Sequence, residues 1–134
     1  MAAIATIEGV GDAFAAKLND VGVSTTEGLL EKGASPNGRA DLAAATGISD
    51  KLILKWVNHA DLFRIKGVAG EFAELLEASG VDTVAELAQR NGANLAAKMK
   101  EVNDAKSLTR TVPSEAQVTG WINEAKTLPR AVSY

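Results

Sequence analysis

Residues 7–30 read IEGVGDAFAAKLNDVGVSTTEGLL, and residues 65–88 read IKGVAGEFAELLEASGVDTVAELA. When the two segments are aligned at a constant offset of 58, ten of the 24 positions carry the same residue. The identical pairs are Ile7/Ile65, Gly9/Gly67, Val10/Val68, Phe14/Phe72, Ala15/Ala73, Leu18/Leu76, Gly22/Gly80, Val23/Val81, Thr25/Thr83 and Leu29/Leu87. Such a repeat is typical of one supersecondary unit that occurs twice and cannot bury its apolar face alone.

The repeat resumes near the end of each copy at a larger offset. Residues 49–60 (SDKLILKWVNHA) align with residues 114–125 (SEAQVTGWINEA) at an offset of 65, so that Trp56 matches Trp121. The second copy therefore contains about seven extra residues, which we expect within Asp104–Pro113. We predict two repeats, residues 1–62 and 63–134, that pack together as a single domain spanning residues 1–134.

The apolar residues follow a helical period, and no segment shows the sustained alternation of a strand. Phe14, Ala15, Leu18 and Val21, for example, fall at positions i, i+1, i+4 and i+7, which form one face of a helix. The period predicts an all-α fold of about eight short helices in two quasi-equivalent groups of four.

Hydroxyl residues and glycines mark where these helices are expected to begin and end. Two predicted starts have the capping-box pattern, Ser24-x-x-Glu27 and Thr83-x-x-Glu86. The other predicted starts are Ser35 before Pro36, Ser49, and Ser114 with Gln117, and the predicted C-terminal glycines are Gly22 and Gly47.

The composition of the 134-residue chain is that of an ordinary globular protein, with 46% apolar and 23% charged residues. Its 14 basic and 17 acidic residues give a formal net charge of −3, which argues against a surface that binds polyanions everywhere. The absence of cysteine excludes disulfides and thiolate metal sites, and a single histidine excludes a multi-histidine metal centre. We expect no metal, no cofactor and no small-molecule substrate.

The first residues of the sequence do not have the features of a targeting signal. MAAIATIEGVGDAF has no positively charged start, and Glu8 interrupts its apolar run. The apolar stretches fall short of the roughly 20 residues that a membrane helix needs. We therefore expect a cytoplasmic protein that does not bind a membrane.

The segment Ile7-Glu8-Gly9-Val10-Gly11, followed by Ala15 and Leu18, resembles the helix-hairpin-helix signature. The tandem arrangement, including residues 46–68 (TGISDKLILKWVNHADLFRIKGV), also resembles an uncharacterised bacterial family of helix-hairpin-helix-like proteins over nearly the whole chain. In helix-hairpin-helix proteins the loop commonly grips the nucleic-acid backbone without reading its sequence. The resemblance implies that the hairpin residues are Gly9, Val10, Gly11, Gly67 and Val68, and it implies no established activity.

The two hairpins differ in the features that phosphate binding requires. The amides and dipole of a helix N-terminus attract phosphate, but Glu8 and Asp12 flank the first hairpin and oppose an anion. Arg64 and Lys66 flank the second hairpin, where Ala69 replaces the second glycine and puts access to the amides in doubt. One hairpin therefore has the backbone for phosphate binding and the other has the charge.

A basic stripe of Lys51, Lys55 and His59 at helical spacing leads towards Arg64 and Lys66. Residues 51–70 carry a net charge of +3, and residues 71–89 carry −5. The acidic residues of the latter segment are Glu71, Glu74, Glu77, Asp82 and Glu86. The stripe is suited to contact phosphates, to dock on this acidic surface within the molecule or on a neighbouring copy, or to remain a solvated face.

Two classes of function fit these patterns. The first is a non-catalytic scaffold that binds a protein partner or associates with itself, either head-to-tail or as a dimer. The second is sequence-independent DNA binding through the amides of the first hairpin and the basic stripe. We predict no enzymatic activity, because the sequence has no Walker loop, paired-carboxylate motif or nucleophile elbow.

The first hairpin lacks space for a helix in front of it, because only six residues precede Ile7. In the repeat alignment the helix that contains Trp121 is the counterpart of the helix that contains Trp56. We therefore predict that the Trp121 helix packs beside the Ile7–Leu18 hairpin of the same chain.

Overall fold

A computed structural model describes residues 3–68 and 70–134 of the chain. Within these ranges the chain forms eight α-helices and a short 3-10 helix at Ile4–Thr6. The α-helices are α1 (Asp12–Asp20), α2 (Thr26–Gly33), α3 (Pro36–Thr46), α4 (Asp50–Leu62), α5 (Gly70–Ala78), α6 (Val84–Leu87), α7 (Gly92–Lys106) and α8 (Glu115–Ala125). The predicted all-α class is confirmed.

The chain divides into two compact units. The first unit consists of Met1–Asp61 together with Ala131–Tyr134, and the second consists of Leu62–Arg130. Helices α1 to α3 and nearly all of α4 belong to the first unit, and α5 to α8 belong to the second. That the two units form a single domain stays a prediction.

Each unit has a core of aliphatic side chains around one tryptophan. In the first unit Leu18, Leu29, Ile53 and Trp56 are buried. In the second unit the corresponding cluster is formed by Leu62, Ile65, Val68, Ala73, Leu75, Leu76, Val81, Val84, Leu87, Leu95, Met99, Val102, Val118, Trp121, Ile122 and Ala125. The apolar residues that recur with a helical period in the sequence therefore lie inside the two cores.

Four of the predicted helix starts have a side-chain cap, at Ser35, Ser49, Thr83 and Ser114. The Oγ atom of Ser49 accepts the N–H of Leu52 at 3.3 Å. The Oγ atoms of Ser35 and Ser114 accept the backbone N–H three residues further on, each at 3.1 Å, and Gln117 completes the capping box with Ser114. The Oγ1 atom of Thr83 accepts the N–H of Glu86 at 3.4 Å. These caps are local in sequence, so the residue pattern alone was sufficient to find them.

Helix α2 begins at a different cap from the one predicted. The capping atom is Oγ1 of Thr25, which accepts the N–H of Gly28 at 3.0 Å, so the prediction of Ser24 is wrong. The carbonyl of Ser24 instead accepts the N–H of Ile4 at 3.0 Å, in an extended pairing that also joins Ala3 to Thr25. This pairing holds the chain extended up to Thr25, so the helix can start only after it.

The extra residues of the second copy lie in α7 and in the loop that follows α7 in the sequence. Helix α7 has 15 residues, whereas α3 has 11. Ser107 ends α7 in the left-handed region, and the side chain of Asn103 bonds both the N–H and the carbonyl of Thr109, at 2.9 and 3.2 Å. The additional residues are thus tied down by hydrogen bonds.

Each tryptophan packs against the helix that follows the hairpin turn of its own unit, which is α1 for Trp56 and α5 for Trp121. The ring centroid of Trp56 lies 5.1 Å from that of Phe14, and the centroid of Trp121 lies 5.3 Å from that of Phe72. The prediction that the Trp121 helix packs beside the first hairpin is therefore wrong, because Trp56 fills that place. Trp56 follows Phe14 by 42 residues and Trp121 follows it by 107, so the nearer tryptophan has the higher effective concentration.

Candidate functional site

The first hairpin turn is formed by Ile7, Glu8, Gly9 and Val10. The N–H of Val10 donates to the carbonyl of Ile7 at 3.1 Å and closes the turn. Gly9 has a φ of +91°, a conformation that glycine adopts without the steric cost of a Cβ atom. Ile7 and Val10 are buried, so the first and last residues of the turn anchor it to the core.

This turn limits which amides of the first hairpin face outward. The N–H of Val10 is already used inside the turn, which leaves the amides of Gly9 and Gly11 as the predicted donors. In the second hairpin the N–H of Val68 is used in the same way, by the carbonyl of Ile65 at 3.1 Å. Both valine amides therefore already have an acceptor within their own turn.

Gly11 is the N-cap residue of α1, and among the described residues no side chain caps the first turn of the helix. The backbone of Gly11 is extended. A Cβ atom added to Gly11 would meet nothing within 4 Å. Glu8 and Asp12 on either side are exposed, so an approaching anion meets accessible amides together with two carboxylates.

In the second hairpin a backbone amide of the loop already donates a hydrogen bond to a carboxylate. The backbone N–H of Lys66 donates to both carboxylate oxygens of Glu124, at 3.2 and 3.3 Å. Gly67 has a φ of +90°, so the turn has the same form as in the first hairpin. The prediction about Ala69 lies outside the described residues. Glu124 thus places an internal anion at the hairpin that carries the basic side chains.

The basic side chains predicted to bind phosphate have different environments. The guanidinium of Arg64 donates to the carbonyl of Pro129 at 2.6 Å. Lys51 and Lys66 are exposed and Lys55 is half-buried. Lys51 borders a surface cavity of about 270 Å³ together with Pro36, Arg39, Ala40, Asp50 and Leu54. These four basic side chains are therefore not equally accessible to a phosphate group.

His59 does not belong to an exposed stripe, because its side chain is completely buried. Every residue from 56 to 62 is buried, so this part of α4 has no solvent-facing side. Spacing at i, i+4 and i+8 identifies one face of a helix but not whether that face is exposed. The basic surface of α4 is thus limited to Lys51 and Lys55.

In each unit one basic side chain, which the sequence analysis did not identify, donates a hydrogen bond at the C-terminal end of the helix that follows the hairpin turn. Lys32 Nζ donates to the carbonyl of Val21 at 2.9 Å, and Arg90 Nη2 donates to the carbonyl of Gly80 at 2.7 Å. Cations at a helix C-terminus interact favourably with its carbonyls and dipole. The two residues are also 58 positions apart, so the repeat alignment contained the signal.

The described residues offer no cluster for metal chemistry, and His59 and Asp61 are closed to solvent. His59 and Asp61 are both buried, with 0% and 1% of their surface exposed. Within residues 3–68 and 70–134, no group of three or more His, Asp or Glu residues is placed to hold a metal ion. Within the same ranges, no helix has the length and apolar character needed to cross a bilayer.

The chain was also compared with known protein families and structures. A family model described as "Domain of unknown function (DUF4332)" matches residues 8–128, which is most of the chain. No curated protein and no solved structure gives a match. Since the family model covers far more than half of the sequence, the chain belongs to the DUF4332 family.

Proposed function

We propose that this member of the DUF4332 family is a non-catalytic scaffold of two helix-hairpin-helix repeats that binds a protein partner or associates with itself. The observation that carries the proposal is the bond from the Lys66 amide to Glu124. A hairpin whose amide is held by a carboxylate of its own chain binds an external phosphate only after that carboxylate is displaced. The hairpin therefore serves as a packing element.

The internal geometry of the two units supports the repeat. The turn glycines Gly9 and Gly67 have φ values of +91° and +90°, and the glycines after the following helix, Gly22 and Gly80, have +85° and +95°. The Phe–Trp ring pairs and the basic residues that hold the helix ends also recur at matching positions. Copies of one ancestral unit account for this agreement more simply than independent origins.

The use of basic side chains inside each unit supports an interaction role over nucleic-acid binding. Arg39, Arg64 and Arg90 each donate to backbone carbonyls of their own unit. Polyanion binding depends on cations that neutralise phosphates and release counterions, so cations engaged in the fold contribute less to it. The net charge of −3 also disfavours the binding of a polyanion.

Opposite charges on different parts of the chain support association between copies. Glu8 and Asp12 are exposed beside the first hairpin. Helix α7 exposes Lys98, Lys100 and Lys106 together with Glu101 and Asp104, and Glu101 pairs with Lys98 at 4.0 Å. Contacts between such surfaces are favourable at low ionic strength and are screened by salt. Light scattering after size-exclusion chromatography, at low and high salt, tests this branch. A monomer at every salt concentration that also captures no protein partner would refute the scaffold proposal.

DNA binding is the second candidate, and it is favoured by the open first turn of α1 at Gly11. If the hairpin amides and the exposed lysines engaged about four phosphates, log Kd would change with log salt with a slope of roughly 3 to 4. An anisotropy titration with a labelled duplex at low salt decides between the candidates. Binding with that slope would replace the scaffold proposal, and no binding at high micromolar protein would remove the alternative.

A further inference from the structure

Residues Ala131–Tyr134 form a strap that packs on the first unit of its own chain. They belong to the first unit, although the segment before them, Leu62–Arg130, forms the second unit. The N–H and Oγ of Ser133 both donate to the carbonyl of Ala34, at 2.8 and 3.2 Å. The carbonyl of Ser133 accepts a hydrogen bond from Arg39 Nη2 at 2.7 Å. The strap is therefore closed in this structure by both backbone groups of one residue.

Arg39 is the charged residue that the strap covers. Its side chain is buried, and Nη1 donates to the carbonyls of Gly33 and Ala34 at 2.9 and 3.1 Å. These two bonds do not involve the strap. The ring centroid of Tyr134 lies 5.8 Å from the guanidinium carbon. Removing the strap would therefore leave Nη1 bonded, but Nη2 would lose the Ser133 carbonyl and would need another acceptor, such as water.

The second unit shows that the repeat does not need such a strap. Asn58 and Asn123 occupy matching positions in the repeat alignment. Asn58 is 6% exposed and its Oδ1 accepts the hydroxyl of Tyr134 at 3.2 Å, whereas Asn123 is exposed. The second unit consists of one continuous segment. Because its related helices fold without a returning segment, we expect the helices of the first unit to stay folded when the strap is released.

The strap has the features of a segment that opens locally. Helix α8 ends at Ala125, and the described chain beyond it forms no further helix. Ser133 and Tyr134 are exposed, and Val132 is the one buried residue of the strap. Segments with few buried apolar contacts and with exposed backbone hydrogen bonds open at a lower free-energy cost than the core of a protein.

We propose that the strap is a conformational device that opens and closes over Arg39 while the helices of the first unit stay folded. In the closed state the guanidinium is shielded from solvent and bonds backbone carbonyls. In the open state the Nη2 side of the guanidinium faces water. Lys51 is exposed and borders the same surface cavity as Arg39, so opening places a second accessible cation there. The strap thus controls how much positive charge the first unit presents, independently of the proposed function.

Chemical modification of arginine in the full-length protein measures the opening. Phenylglyoxal reacts with accessible guanidinium groups, and mass spectrometry locates the modified residues. Arg110 is exposed and serves as the internal reference. We expect Arg39 to react at least roughly tenfold more slowly than Arg110, because only molecules with an open strap react.

The dependence of this rate on urea separates strap opening from global unfolding. Opening of a four-residue strap exposes little surface, so the rate at Arg39 should stay nearly constant at urea concentrations below the unfolding transition. A rate that rises with the full urea dependence of global unfolding would overturn the proposal, since Arg39 would then become accessible only in the unfolded chain.

Two substitutions at one position test which bond holds the strap. Ser133→Pro removes the N–H that donates to Ala34, whereas Ser133→Ala keeps it and loses only the hydroxyl bond. We expect Ser133→Pro to raise the modification rate of Arg39 relative to Arg110 about tenfold, and Ser133→Ala to raise it less than about threefold. Val132→Asp, which places a charge at the buried position of the strap, should act like Ser133→Pro.

Circular dichroism of each variant distinguishes release of the strap from loss of the fold. Native helix content together with faster modification of Arg39 is the result we expect for Ser133→Pro and Val132→Asp. Unchanged modification of Arg39 in both variants would show that the strap does not control access to the guanidinium. Loss of helix content in both variants would overturn the proposal as well, because the strap would then be a required part of the folded core.

Discussion

The indole of Trp56 packs against the ring of Phe14 with 60° between the ring planes. Tilted pairs at this separation are a preferred arrangement for aromatic rings, because the edge of one ring faces the electron-rich face of the other. The same indole lies next to the hairpin turn, since a Cβ atom on Gly9 would lie 3.7 Å from Nε1 of Trp56. One tryptophan thus links the last helix of the unit both to the turn and to the helix that follows it.

Trp121→Ala should destabilise the second unit strongly. The substitution removes a side chain that is 5% exposed and packs on Phe72, and a core Trp→Ala change costs about 3–5 kcal/mol. Urea denaturation followed by circular dichroism measures the loss. Trp121→Phe keeps an aromatic ring and should lose less. Equal stability of Trp121→Ala and the wild type would show that Trp121 is not a core anchor.

Gly9→Ala and Gly11→Ala should have unequal effects on stability. At Gly9 the φ of +91° imposes a cost of about 1–2 kcal/mol on any residue with a Cβ atom. Gly11 is extended and has open space around it, so alanine fits there without strain. Thermal melts of the two variants give the comparison. A Gly11→Ala variant as unstable as Gly9→Ala would contradict the conformations described for the hairpin.

The features that the sequence predicted correctly are those set by neighbouring residues. The caps at Ser35 and Ser114 and the positive φ values of Gly22 and Gly47 depend on a few positions around them. Such preferences act through local sterics and short hydrogen bonds, so a pattern is enough to identify them.

The features that the sequence missed depend on distant parts of the chain. The burial of His59 and the partner of Trp121 follow from packing, which periodicity does not reveal. The cap at Thr25 depends on the pairing between Ile4 and Ser24. The contact of Glu124 with the Lys66 amide joins residues 58 positions apart and has no signature in a local motif.

Arg90→Gln should loosen the end of α5. The guanidinium bonds the carbonyl of Gly80 and also Oε1 of Glu86, at 2.7 and 3.2 Å. Losing a hydrogen bond of this kind costs about 0.5–1.5 kcal/mol in a folded protein. Native-state hydrogen exchange at Gly80 and Val81 should increase. Arg110→Gln, at an exposed position in the loop after α7, is the matched control for loss of charge. Identical exchange in both variants would show that Arg90 does not hold this helix end.

Glu124→Gln should change nucleic-acid binding if the carboxylate blocks the second hairpin. The amide oxygen of glutamine can still accept the Lys66 N–H, so the fold should be preserved, but the negative charge at the Lys66 amide is removed. Coulomb repulsion of a phosphate then decreases, and we expect measurable duplex binding at low salt where the wild type shows none. The first hairpin provides the comparison, because Glu8→Gln with Asp12→Asn removes two exposed charges beside an open helix start. Anisotropy titrations of both variants at two salt concentrations measure the gain. If neither variant binds DNA more tightly than the wild type, the carboxylates are not what prevents binding, and the hairpins act only as packing elements.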